Sequence, residues 1–304
     1  MTPDLKGNVL RWAAKGWIPA RWVVPGLPSA RTLPARKSRL HLEIVSHCWQ
    51  YAHLLVYQLS SLVAHPPEGL DVTMTVFHAP GDDETRDLLD FFGKQDLPAV
   101  TWNWCCLPRE KLFRRAIGRN LAALETRADW IWFTDCDLFF GKGCLDGLAG
   151  ALQSVREPLV FPRQEWCTDL LPSGAPALQE GRTRPRVLPP PSVEFKPHPR
   201  TRATGPLQIT HGDAARRFGY CNNLPYYQQP ASRWCKAHED RAFRWLLGSQ
   251  GKALEVPGVH RIRHLNKGRY HGNTFKTALR KRIRQLALRV KESKPSAGSA
   301  PWQR

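Results

Sequence analysis

Between residues 41 and 134 the sequence changes period again and again: short apolar runs alternate with segments whose apolar residues recur every three or four positions. The runs HLEIVSH (41–47), VTMTVFH (72–78), AVTWNW (99–104) and WIWFT (130–134) have strand character. Between them, residues 49–64, 83–93 and 109–126 have helical spacing. In the last of these, Leu112, Phe113, Ala116, Ile117, Asn120, Leu121 and Leu124 fall on one side. Strands separated by helices of this length can pair only through crossovers. The chain is therefore expected to be α/β, with a mostly parallel sheet and helices on both faces.

The pattern weakens after PLVFP (158–162). Residues 172–206 hold nine prolines and six Lys or Arg. Proline blocks helix continuation, and such a segment is expected to bury too little apolar surface to order itself, so it reads as an insert or lid. Regular structure is expected to resume with PLQIT (206–210), a helix at 212–218, a helix over 235–249 and a strand at ALEV (253–256). Residues 1–38 carry Trp12, Trp17 and Trp22 among prolines and basic residues and read as an irregular arm. The expected organisation is this arm, one α/β domain over 39–268, and a basic amphipathic helix with its tail over 269–304. In that helix, at 275–292, Phe275, Ala278, Leu279, Ile283, Leu286 and Val290 form one stripe.

The net charge of +19 lies entirely at the two ends. Residues 1–40 hold eight Lys or Arg against Asp4, and residues 258–304 hold thirteen against Glu292. That leaves 24 of each sign in between. A nucleic-acid enzyme draws positive charge into its working groove, so a neutral body argues against nucleic acid as partner. Basic ends with tryptophans and an amphipathic helix suit peripheral contact with an anionic membrane. The eight cysteines show no CxxC pair or zinc spacing and read as reduced thiols. With no apolar stretch of spanning length and no signal-peptide pattern at the start, a cytoplasmic protein is expected.

Three groups of residues suggest chemistry. Asp135-Cys136-Asp137 directly follows the apolar run 130–134, at the edge where open parallel sheets bind ligands. Two carboxylates one residue apart offer oxygen ligands to Mg²⁺ or Mn²⁺. Glu239-Asp240 opens a helix, where acids also stabilise the positive end of the dipole. A carboxylate there can instead deprotonate a hydroxyl as a general base. His264 follows a late strand-like stretch that could return to the sheet edge with a nitrogen ligand.

Taken in order and spacing, RRAIGRNLAALETRADWIWFTDCDLFF (114–140), GPLQITHGDAARRFGY (205–220) and HEDRAFRWLL (238–247) resemble family 2 glycosyltransferases with the GT-A fold. The resemblance covers roughly residues 41–266. It implies a GT-A-like (Rossmann-like) domain that moves a sugar, with inversion, from a nucleotide-diphosphate donor to a hydroxyl of a glycan, lipid-linked or small-molecule acceptor. By position it implies that Asp137 binds Mn²⁺ or Mg²⁺, that Asp135 binds the ribose or the metal, and that His264 completes the metal shell. Asp240 would be the catalytic base, with Glu239 beside the acceptor. Asp82 or Asp83 would contact the nucleotide, and Arg119, on the helix before the DxD strand, would lie on the donor side. The first strand departs from the family pattern, with SHCWQY (46–51) where a proline- and asparagine-containing motif is usual. A nucleotidyltransferase would also use paired aspartates and metal, but the phosphate loop it wants near the first strand is not in SHCWQY. Two further alternatives are a nucleic-acid-binding protein using the basic ends and the twelve tryptophans, against which the neutral body argues, and a non-catalytic glycan-binding relative, against which intact Asp135, Asp137 and Asp240 argue.

Overall fold

The computed structural model describes residues 9–10, 12–28, 33–234 and 237–265. The chain divides into two compact units, Met1–His264 and Leu265–Arg304. The basic helix expected at 275–292 lies outside the described residues. No described helix is long and apolar enough to cross a membrane.

The alternating pattern becomes alternating elements: β1 (Leu40–His47), α1 (Ala52–Ala64), β2 (Leu70–His78), α2 (Asp83–Phe92) and β3 (Val100–Cys106). There follow α3 (Arg115–Glu125), β4 (Trp130–Phe133), β5 (Leu138–Phe140), α4 (Cys144–Leu152), β6 (Leu159–Pro162), β7 (Gln164–Cys167) and β8 (Lys196–Pro199). The last elements are β9 (Gln208–His211), α5 (Gly212–Phe218), α6 (Glu239–Leu247), β10 (Lys252–Leu254) and β11 (Val259–Arg261). Seven strands form one sheet in the order β10-β6-β9-β4-β1-β2-β3. All neighbours in it run parallel except β9, which is antiparallel to both β4 and β6. The expected α/β class and mostly parallel sheet are thus observed. The central strand β4 is apolar throughout because both faces are covered: all four of its side chains are buried, and the Trp132 indole donates to Pro206 O at 3.0 Å.

The chain runs outward from β1 through β2 to β3, then crosses back to place β4 on the other side of β1. This reversal makes the carboxyl ends of β1 and β4 a topological switch point, the place where ligands bind in open α/β sheets. β5, β11, β7 and β8 form a second, smaller sheet next along the chain from that edge. Glu165 on β7 is fully buried and ion-paired with Arg200 and with Arg261 of β11, the latter at 2.8 Å. Burial lowers the pKa of Arg200 to about 10, helped by the charges of Arg261 and Arg263.

Three expectations are corrected. The helix foreseen at 109–126 breaks: Arg109–Leu112 forms one turn, and α3 begins at Arg115. Arg114 leaves helical geometry at φ −102°, ψ 81°, while its guanidinium donates to Gln229 O and stacks on Tyr226 at 5.1 Å. The proline-rich segment 172–206 packs: Ala175, Ala177, Leu178 and Leu188 are buried. Tyr57 Oη on α1 donates to Ala177 O, and Leu188 N donates to Ser60 Oγ. Its prolines 197 and 199 sit in β8, an edge strand that spares their missing N–H groups. The helix expected from residue 235 starts at Glu239, after His238 in a left-handed conformation, and ends at Gly248, also left-handed at φ 61°.

Candidate active site

A buried hydrogen-bond lattice fixes the end of β4. Ser46 Oγ donates to Gln58 Oε1 at 2.6 Å and lies 2.6 Å from Thr134 Oγ1. Gln58 Nε2 donates to Asp135 O, and Thr134 Oγ1 donates to Val45 O. Each of these side chains is fully buried, so the lattice holds the peptide at Asp135 in one place. Cys136 turns back into the fold: contact with the Cys48 thiol and burial both push its pKa up.

Arg115 joins the two acidic motifs. Its Nη1 donates to Asp135 Oδ1 at 2.5 Å, and its Nη2 lies 3.1 Å from Glu239 Oε1. Burial disfavours the charge on this guanidinium, but Asp135 and Glu239 outweigh that cost and raise its pKa. Arg119, one turn further along α3, reaches the same Asp135 oxygen at 3.3 Å and donates to Thr134 O. Arg119 Nη1 donates to Tyr220 Oη at 2.9 Å. Tyr220 Oη donates to Gln208 Oε1, and Gln208 Nε2 donates to Asp240 O. Tyr220 also stacks on Phe243 of α6, with ring centroids 4.3 Å apart. Two independent routes therefore tie the DCD turn to the start of α6. Arg119, expected on the donor side, is fully buried.

Glu239 is buried, whereas the Asp240 side chain is 28% exposed and pairs with Arg244 at 3.2 Å. Helix α3 comes close to the end of β1: a Cβ at Gly118 would lie 2.2 Å from His47 Nε2. Burial, then the charges of Arg119 and Arg115, hold the His47 pKa well below the usual histidine value, so the ring is neutral at pH 7.

Asp137 is buried, and its carbonyl accepts from Ile262 N at 2.8 Å. That bond docks the DCD turn onto the segment that carries His264. His264 is buried, bridged to Leu171 and edge-on to Tyr51 at 5.1 Å. Among the described residues no three His, Cys, Asp or Glu side chains converge as a ready-made metal group. Asp82 caps α2: its carboxylate accepts from Thr85 N, from Thr85 Oγ1 and, at 2.5 Å, from Gln50 N. It thereby locks the β2–α2 turn against the turn after β1. Asp83 is exposed and pairs with Arg86 at 2.6 Å. The carboxylates of both aspartates, expected to contact the nucleotide, are thus engaged by protein partners.

Sequence reasoning missed Arg115, Tyr220 and Gln208. A signal was present for the first: Arg115 and Arg119 lie four apart on an otherwise apolar helix face, a spacing that points two cations the same way. A cavity of about 460 Å³ lies elsewhere, between the arm and the C-terminal end of α6, lined by Ile18, Trp245 and Gln250 among others; no candidate site residue lines it.

No family model matches the sequence, and no curated protein matches it. Among solved structures, the chain is similar to residues 1–349 of TarS from S. aureus, with 11% identity and a TM-score of 0.44 over 75% of this chain. It spans 61% of that TarS chain. It is also similar to the mannosyltransferase PcManGT from Pyrobaculum calidifontis, solved in complex with GDP-Man and Mn²⁺. There the identity is 15% and the TM-score 0.43, over 97% of this chain and 73% of that one.

Proposed function

We propose that this chain is a glycosyltransferase that transfers a sugar from a nucleotide-diphosphate donor to the hydroxyl of a glycan or lipid-linked acceptor, with inversion. The observation that carries the reading is the Arg115 clamp. A DxD pair at the switch point and an acidic pair opening α6 share one half-buried guanidinium, so the carboxylates assigned here to donor and acceptor sides form one unit. The resemblance of residues 41–266 to family 2 glycosyltransferases supports the same assignment.

In this reading Asp135 and Asp137 would hold a divalent cation, and His264 would complete its shell. Two carboxylates without a closed protein shell suit Mg²⁺ or Mn²⁺, which take their remaining ligands from substrate phosphates and water. When bound, such a cation neutralises the charge that builds on the leaving diphosphate. Arg115 and Arg119 orient the Asp135 carboxylate. Asp240 accepts the proton of the acceptor hydroxyl as it attacks the anomeric carbon from the face opposite the diphosphate. Glu239, buried against Arg115, positions rather than reacts.

A panel of nucleotide sugars, read by thermal shift with and without Mn²⁺ and followed by a transfer assay, tests this. A matching donor should stabilise the wild type only with metal, and Asp137→Ala should abolish that shift without lowering the ligand-free melting temperature. Asp240→Asn should bind donor normally and lose on the order of 10²–10⁴-fold in turnover. Equal shifts with metal and with chelator would overturn the metal role, and near-normal turnover in Asp240→Asn would overturn the base.

A further inference from the structure

The N-terminal arm shows its largest apolar side chains to the outside. Trp12, Trp17 and Trp22 are 53%, 78% and 76% exposed, and Val9 and Val23 accompany them. Five of the seven large hydrophobic residues exposed among the described residues thus fall between positions 9 and 23. The same segment buries its smallest side chains, Ala13, Ala14 and Ala20, against the body. Packing for stability would place them the other way round, because an indole gains far more from burial than a methyl group. Exposed large apolar side chains concentrated in one short segment mark a place where something else binds.

The arm is held in position. Trp245 Nε1 on α6 donates to Ile18 O at 2.6 Å, and the short helix Ala20–Val23 packs against α6. Charge selects the partner. Lys15 and Arg21 are exposed among the tryptophans, residues 9–28 contain no acid, and residues 1–40 carry eight basic residues against one acidic. Indoles with a polar N–H settle at the headgroup level of a bilayer, and basic residues are drawn to anionic lipid.

We propose that the arm is a docking surface for an anionic lipid bilayer, with Trp17 and Trp22 seated among the headgroups and Trp12, Lys15 and Arg21 at their level. The inference stands apart from the reaction assigned above. The two meet in α6, which contacts the arm near its C-terminal end and begins with Glu239 and Asp240. Its nine residues span about 14 Å. If glycosyl transfer holds, docking brings those carboxylates within reach of an acceptor carried on lipid.

The full chain is sedimented with sucrose-loaded vesicles of phosphatidylcholine, with and without phosphatidylglycerol, at low and high salt and without any nucleotide sugar. The expected result is low-salt binding that requires phosphatidylglycerol, with a blue shift of indole emission. Trp17→Ser/Trp22→Ser should weaken it roughly tenfold. Lys15→Ser/Arg21→Ser should weaken it roughly fivefold per charge removed and flatten its salt dependence. All four positions are exposed, so both variants should keep the wild-type melting temperature. Two outcomes overturn docking by the arm: a wild type that stays in the supernatant at low salt, and a tryptophan variant that binds as tightly as the wild type. A tryptophan-dependent blue shift produced by a soluble glycan or protein instead of vesicles also overturns it. Because no donor is present, the vesicle result is independent of whether a nucleotide sugar is ever found to bind.

Discussion

Replacing Arg115 by Met removes the cation that links the two acidic motifs while keeping much of its volume. The expected cost follows from which carboxylate is left without its partner. Asp135 keeps Arg119, whose Nη2 holds the same oxygen at 3.3 Å, and its side chain is 24% exposed. Glu239 has no such reserve: its side chain is 6% exposed, and Arg115 is the only cation paired with it among the described residues. Breaking one partner of a buried pair costs about 3–5 kcal/mol. The lower figure applies because the Arg115 side chain is 26% exposed and water can enter the vacated space. About 3 kcal/mol in a domain of this size corresponds to a fall of roughly 6–12 °C in melting temperature.

Most of that loss belongs to the stranded charge rather than to lost packing, which a double-mutant cycle separates. Glu239→Gln alone should cost less, since a neutral amide next to Arg115 strands no buried anion. Adding Glu239→Gln to Arg115→Met should recover about 1.5 kcal/mol or more of the single variant's deficit, measured by urea unfolding of all four proteins. A coupling energy below about 0.5 kcal/mol would refute the clamp as an energetic unit. In a donor-binding assay Arg115→Met should also weaken the metal-dependent shift, since it frees Asp135 from its stronger tether.

Two further outcomes follow from buried charge. Glu165→Gln leaves Arg200 and Arg261 facing each other within the small sheet and should cost about 3–5 kcal/mol, whereas the exposed Glu255→Gln, paired with Arg163 at the surface, should cost under about 1 kcal/mol; urea unfolding of both tests the contrast. Burial, then Arg182 and His264, lower the His53 pKa to about 3, so the unfolded chain takes up a proton near the ordinary value of 6.5 that the folded chain refuses. That stability is present above pH 6.5 and lost as pH falls toward 3; between pH 7 and pH 5 the wild type should lose about 2 kcal/mol more than His53→Phe. Parallel pH profiles for the two proteins would refute it.

What the sequence disclosed and what it hid divide along range of interaction. Strands and helices from residue 40 to residue 134 were legible because period is a local property and both faces of the sheet are covered. The break at Phe113 and Arg114 was not, since Leu112, Phe113, Ala116 and Ile117 keep helical spacing straight across it; the turn is set by Arg114 reaching Gln229, more than a hundred residues away. The order of 172–206 was hidden by its prolines. The residues that anchor it are mostly small, and their partners are on α1. The acidic pairs stood out as pairs, but Arg115 did not, because one more cation on a helix reads as a solvent-facing residue until its two carboxylates are placed.

In the proposed reaction the arginines bear on how the site would meet a donor. Arg115 and Arg119 are committed to Asp135 and Glu239, and Arg244 is committed to Asp240. His47, beside two of these guanidiniums, is neutral at pH 7. These groups therefore offer little surplus positive charge to a diphosphate. A diphosphate entering alone would meet carboxylates whose countercharges are already in use, and at 4 Å each unscreened like-charge contact costs about 4 kcal/mol near a protein surface. Under the proposed glycosyl transfer, a divalent cation held by Asp137 and Asp135 would reverse that balance by supplying two positive charges beside the diphosphate. Donor binding is then expected to show a steep dependence on metal concentration even at low salt, and to respond less to added monovalent salt, since the ion pairs that set the site's charge are partly buried.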